Sequence, residues 1–272
     1  MTSGAVRLAV MAAAAVASGC ALHAPSPTAE TQAPVELVAT PFFAQRVDHC
    51  GPAALATVLV ESGRNDVTPD ALSPALFLPE RAGTLRTELL AVSRAQQRIP
   101  LTIPGTLEGL VAALDAGYPV LVLQNLGIRW IPRWHYAVVV GVDQEADTVV
   151  LRSGREPRRR TSIATFLRTW ARSGHWGMVV SPPDTVPAFA QPLDWLRAAA
   201  PAESAGQPAL ALTAYKAAVA RWPDSALAHA ALGNAWYAVG DTPAARRHWQ
   251  DALQLNPELK TARDNLAATA PD

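Results

Sequence analysis

A thiol is a poor nucleophile until it ionises, and the start of a helix, beside an imidazole, is where its pKa falls. Cys50 meets the first condition. Cys50-Gly51-Pro52 opens the stretch Ala53 to Glu61, whose Ala, Leu and Val spacing predicts a helix ending near Gly63. Pro52 suits its first turn, where a missing N–H goes unnoticed. The base must be a histidine distant in sequence and near in the fold, and the chain has six. His23 falls in a Pro-rich tether, and His229 and His248 in an Ala-rich helical tail. His49 adjoins Cys50, but adjacent side chains on an entering strand diverge, and His175 stands in a Gly-flanked turn. His135 alone opens a strongly apolar strand, His135-Tyr136-Ala137-Val138-Val139-Val140-Gly141, a rigid scaffold able to present a ring to a cleft. The bland alternatives are an inert core cysteine and a hydrogen-bonded histidine at a strand end.

The N-terminal residues set the compartment in which this thiol would work. Arg7 is the only charge before the apolar run Leu8 to Ala17, and Ser18-Gly19-Cys20 follows. So short a run, closed by small residues, predicts a signal peptide over residues 1–19. Ala17-Ser18-Gly19-Cys20 resembles the bacterial lipobox, which implies acylation of Cys20 at a new N-terminus. Lipid chains there supply membrane affinity that the rest of the chain lacks. Lys plus Arg and Asp plus Glu each total 23, so no net charge draws the chain to nucleic acid or to an acidic membrane. Ala21, in place of the Asp associated with inner-membrane retention, favours the periplasmic face of the outer membrane. With Cys20 acylated, Cys50 is the remaining thiol in an oxidising compartment, where a thiol is usually buried or employed.

The elements that must position Cys50 and His135 follow from patterning. Residues 20–37, rich in Pro, Ala, Thr and Ser, read as a lipidated tether. Beyond the first helix, Leu85 to Gln97 and Leu107 to Ala116 read as helices, the latter capped by Thr106 and closed by Gly117. Pro119 to Gln124, Tyr136 to Val142, Thr148 to Arg152 and Trp176 to Val180 read as strands, with Ile163 to Arg172 an intervening helix. Helices first and an antiparallel sheet second define an α+β domain over residues 38–182. From 192 to 272 the chain is Ala-rich, all-α and periodic at 34 residues. His229, Leu232, Gly233, Trp236, Gly240, Ala245, Trp249, Ala252 and Pro257 occupy the positions of a tetratricopeptide repeat. A degenerate copy, with Pro201 inside its first helix, precedes this unit, and Thr261 to Ala268 reads as a capping helix. So short an array is expected to dock on the preceding domain.

Gln45 to Leu55, Gln-Arg-Val-Asp-His-Cys-Gly-Pro-Ala-Ala-Leu, resembles the catalytic segment of papain-like cysteine peptidases of the bacteriocin-processing, double-glycine type. The family's histidine opens a strand of the form His-aromatic-Val-Val-Gly, which His135 to Gly141 resembles, and the likeness spans about residues 38–182. It implies a papain-like fold, Cys50 as nucleophile, His135 as base and Gln45 in the oxyanion hole. Where the family places an Asp to hold the imidazole, this sequence has Ser153 in Leu151-Arg152-Ser153-Gly154. A hydroxyl can orient the ring but cannot stabilise imidazolium by charge. Asp143 and Asp147, in the hairpin after Gly141, are expected to point away from the ring.

The expectation is a lipid-anchored cysteine peptidase that cleaves a peptide through a Cys50 thioester, with the repeats recruiting substrate or a protein partner. The alternatives are a catalytically weak or inactive scaffold that binds peptides or protein partners, and acyl transfer other than proteolysis. Arg155 and Arg158 to Arg160 read as a solvated hairpin edge. No cofactor is implied, and no paired ligand spacing supports a metal at His49, Cys50 and His135.

Overall fold

The computed structural model describes residues 33–45, 49–81 and 83–269, so the signal peptide, Cys20 and residues 20–32 of the tether lie outside the described residues. The chain runs through β1 (Val35–Glu36), α1 (Cys50–Glu61), α2 (Pro69–Leu76), α3 (Arg86–Ala95), β2 (Ile99–Thr102), α4 (Leu107–Asp115), β3 (Val120–Asn125) and β4 (Trp134–Asp143). It continues through β5 (Thr148–Ser153), β6 (Glu156–Thr161), α5 (Ile163–Ala171) and β7 (Gly177–Ser181). The helical tail holds α6 (Pro192–Ala199), α7 (Pro201–Ser204), α8 (Pro208–Arg221), α9 (Ala226–Ala238), α10 (Thr242–Leu255) and α11 (Lys260–Ala268).

The sheet is antiparallel at every pairing, in the order β2-β7-β3-β4-β5-β6, with β1 pairing to β4 off this path. Successive side chains leave a strand on opposite faces. Leu121, Leu123, Tyr136, Val138, Val140 and Met178 pack against α1, α2 and α3. The alternate residues Val120, Val122, Ala137, Val139, Leu151 and Val179 pack with Leu110 of α4, Phe166 and Trp170 of α5, and Trp195 of α6. A strand covered on both faces has no place for polar alternation, so β3 and β4 read as unbroken apolar runs. Helices therefore precede the sheet and also cover its second face.

Several short elements lie outside the sequence expectations, β1, β2 and α2 among them. The sheet takes in Val35 and Glu36, which the composition assigned to the tether. β2 carries Pro100, tolerated because β2 is an edge strand. α2 is eight residues with two prolines, and it starts because the Thr68 hydroxyl accepts from Ala71 N at 3.2 Å.

In the tail, Pro201 ends one helix and begins a separate turn. Gly233 lets α9 and α10 close, since a Cβ there would stand 2.5 Å from the Trp249 ring. Trp249, 1% exposed, donates its indole N–H to Asn234 Oδ1 at 2.9 Å. The array docks on the sheet domain: α6 shares its core, and Arg94 of α3 donates through Nε and Nη2 to the Ala198 carbonyl at 3.3 and 3.1 Å.

Candidate active site

Cys50 is the first residue of α1, half-buried, with no carboxylate in that first turn to oppose a thiolate. The partial positive charge of the helix start lies at its backbone. Gly51 is required there. A Cβ at Gly51 would come within 2.4 Å of Thr84 Oγ1 and 2.6 Å of Thr84 Cβ, so the Gly83–Leu85 segment crosses the helix start at close range. Tyr136, 3% exposed, holds that segment by donating its hydroxyl to the Thr84 carbonyl at 3.2 Å. Burial, and next the neighbouring Cys50, push its phenol pKa up, which keeps the donor protonated.

His135 stands one residue into β4, opposite Gln124 of β3. The register of β4 and β5, with Val138 opposite Arg152, brings Ser153 into diagonal reach of the ring. Ser153, 4% exposed, lies with its Oγ 2.8 Å from His135 Nε2. Burial, then the Arg159 and Arg133 charges, push the His135 pKa down to about 4, so the imidazole is neutral at neutral pH. Asp143 and Asp147 are engaged elsewhere: they accept from Ala146 N and Ile163 N at 2.9 and 3.2 Å.

Gln45 is tied at both ends of its amide. Its Oε1 accepts from Gly154 N at 2.8 Å, its Nε2 donates to the Tyr136 carbonyl at 3.0 Å, and its backbone N–H donates to Gly154 O at 2.8 Å. Gly154, at φ +62°, makes the turn after Ser153 that presents both groups. The amide thus couples the segment before α1 to the strand carrying His135.

Gln45, Cys50, His135 and Gly154 line one cleft of about 1050 Å³. Its walls include Arg81, Arg86, Arg133, Arg155 and Arg172, and no carboxylate among the described residues. The chain as a whole is neutral, so this concentration of cations is local to the cleft. Beside it the β3–β4 connection exposes Trp130 and Ile131, at 79% and 66%.

The other expected bystanders are where their neighbours direct them. The His49 ring stacks on Phe77 with centroids 4.7 Å apart, and His175 sits in its turn at φ +53°. Arg158 pairs with Glu36 at 2.6 Å on the hairpin edge. The sequence reading missed Arg152. Its guanidinium, buried next to Ser153, donates to the Val38 carbonyl at 2.9 Å and to the Thr40 carbonyl at 3.1 and 2.9 Å, anchoring the strap that leads to Gln45. An arginine inside the apolar strand Thr148 to Ser153 was the available signal.

The tetratricopeptide repeat model matches residues 226–259, where the 34-residue period placed the last full unit. A comparison with curated proteins finds no match. Among solved structures, the chain is similar to a protein from Bacillus anthracis described as a C39-like peptidase. That match has 15% identity and a TM-score of 0.45, over 54% of this chain and 96% of that one. It is also similar to the peptidase domain of Streptococcus ComA, a bifunctional ABC transporter involved in a quorum-sensing pathway. Here the identity is 20% and the TM-score 0.41, over 53% of this chain and 98% of that one. The repeat lies in the helical region of this chain that follows the sheet.

Proposed function

We propose that this chain is a cysteine peptidase in which Cys50 is the nucleophile and His135 the base. The observation that carries this reading is the shared cleft: a thiol at a helix start lines it together with an imidazole whose Nε2 is 2.8 Å from Ser153. With Ser153 Oγ accepting from Nε2–H, the Nδ1 lone pair serves as the base. As Cys50 Sγ attacks a peptide carbonyl, Nδ1 takes the thiol proton and the C–S bond forms. The carbonyl oxygen gains negative charge, which the second Nε2 hydrogen of Gln45 and the start of α1 stabilise, a donor of this kind being worth about 3 kcal/mol. The C–N bond then breaks, the departing amine takes the proton from His135, and water hydrolyses the thioester with His135 again as base.

The neutral imidazole points to proton transfer during attack rather than a resting ion pair. The five arginines select a substrate with acidic side chains or a free carboxylate near the scissile bond, and the exposed Trp130 and Ile131 offer an apolar contact beside it. The repeat supports recruitment of a protein partner. Acylation of Cys20 would hold the enzyme on the periplasmic face of the outer membrane, and Cys20→Ala should then fractionate as a soluble protein.

The test is digestion of a mixed peptide library by the full chain, with cleavage sites read by mass spectrometry. Cleavage enriched in acidic flanking residues and abolished by Cys50→Ser supports the reading. Cleavage that survives Cys50→Ser would remove Cys50 as the nucleophile, and no cleavage beside a thiol that iodoacetamide labels would make the domain a peptide-binding scaffold.

A further inference from the structure

The last full repeat holds a second cluster of chemically competent side chains, remote in sequence from the cleft residues. His229 of α9 meets His248 and Asp251 of α10, the latter two spaced i, i+3 on one helix face. His229 Nδ1 and His248 Nδ1 are 3.4 Å apart, and each is 3.6 Å from Asp251 Oδ2. These separations are long for hydrogen bonds. They match a different geometry: around a tetrahedral zinc with bonds of about 2.0–2.1 Å, ligand atoms lie about 3.3–3.4 Å apart, whereas octahedral coordination at the same bond length gives about 2.9 Å.

A second observation fixes the tautomer of one ligand. His229 Nε2 is 2.9 Å from the Pro223 carbonyl oxygen, which can only accept, so Nε2 carries a proton and, in the neutral ring, Nδ1 presents its lone pair to the cluster. A backbone carbonyl behind a ligating imidazole is the usual outer partner of a metal-bound histidine. The two histidine side chains are 12% and 24% exposed, hence held in place, while Asp251 at 45% opens the cluster to solvent.

We propose that His229, His248 and Asp251 form a tetrahedral zinc site that clamps α9 to α10, with the fourth position open to water. His248 joins it by carrying its proton on Nε2, which frees Nδ1. Asp251 supplies the charge that favours a dication over a neutral ligand.

The experiment is calorimetric titration of the full chain with Zn²⁺ alone, repeated with Co²⁺ for its visible spectrum. One equivalent should bind wild type and Cys50→Ser alike, with tetrahedral cobalt bands and no thiolate charge-transfer band. Asp251→Asn, at a solvent-facing side chain, should weaken binding by at least about 10-fold, as should His248→Ala. Circular dichroism checks the fold, and Asp251→Asn decides if His248→Ala misfolds. Unchanged affinity in Asp251→Asn, loss of binding in Cys50→Ser, or no stoichiometric binding in wild type would overturn the proposal.

Discussion

Ser153 can orient the His135 ring as a carboxylate would, yet it brings no charge to offset protonation. Burial and two nearby arginines then leave the imidazole neutral down to about pH 4. That has a consequence for stability. The unfolded chain takes up this proton near 6.5 while the folded chain waits until about 4, so stability falls as pH drops through that window. The loss attributable to His135 is about 3 kcal/mol. Urea denaturation of wild type and His135→Gln at pH values inside and above the window should show a smaller acid loss in the variant; equal losses would remove His135 as the cause. Cys50 and His135 were legible because a helix start and an apolar strand announce themselves locally. Arg152 was not, because its partners are backbone carbonyls at Val38 and Thr40, which no residue type marks.

At the scale of elements, the start of α1 depends on a contact between residues 33 positions apart. In the sequence Gly51 is only part of the Cys50-Gly51-Pro52 helix opening, whereas in the fold its missing Cβ makes room for the Thr84 side chain. Gly51→Ala should lower stability by roughly 1–3 kcal/mol and displace the Gly83–Leu85 wall of the cleft. The double variant with Thr84→Gly should recover part of the loss, since the nearest clashing atoms all belong to the Thr84 side chain. A denaturation midpoint unmoved by Gly51→Ala would contradict this packing. Long helices and central strands were readable from their periods, while β1, β2 and α2 are two, four and eight residues long. Elements that short are made by pairing and capping rather than by any apolar period.

At the scale of the molecule, sheet and repeats form one packed body. Trp195, Ala199 and Leu210 share a core with Ile99, Leu101 and Val179. Removing residues 192–272 should therefore expose apolar surface of the sheet domain and yield an aggregating or non-cooperatively unfolding protein. Gel filtration with thermal unfolding checks this, and a monomeric truncation with an unchanged Tm would show that the two parts are independent. The 34-residue period foretold the repeat, and the shortness of the array its docking, but neither foretold that α6 would complete the core of the other region, because a shared core leaves no mark on either period.

The central claim, a Cys50 nucleophile served by a neutral His135, is tested most directly by acylation of the full chain with a p-nitrophenyl ester of an acidic peptide. Acyl-enzyme would be located by mass spectrometry and its rate followed across the acid and neutral range. The predicted result is an acyl group on Cys50 and an acid limb near pH 4, moving upward in Ser153→Asp, whose carboxylate favours imidazolium, with the rate lost in His135→Ala. An acid limb at the same pH in wild type and Ser153→Asp, or an undiminished rate in His135→Ala, would contradict it.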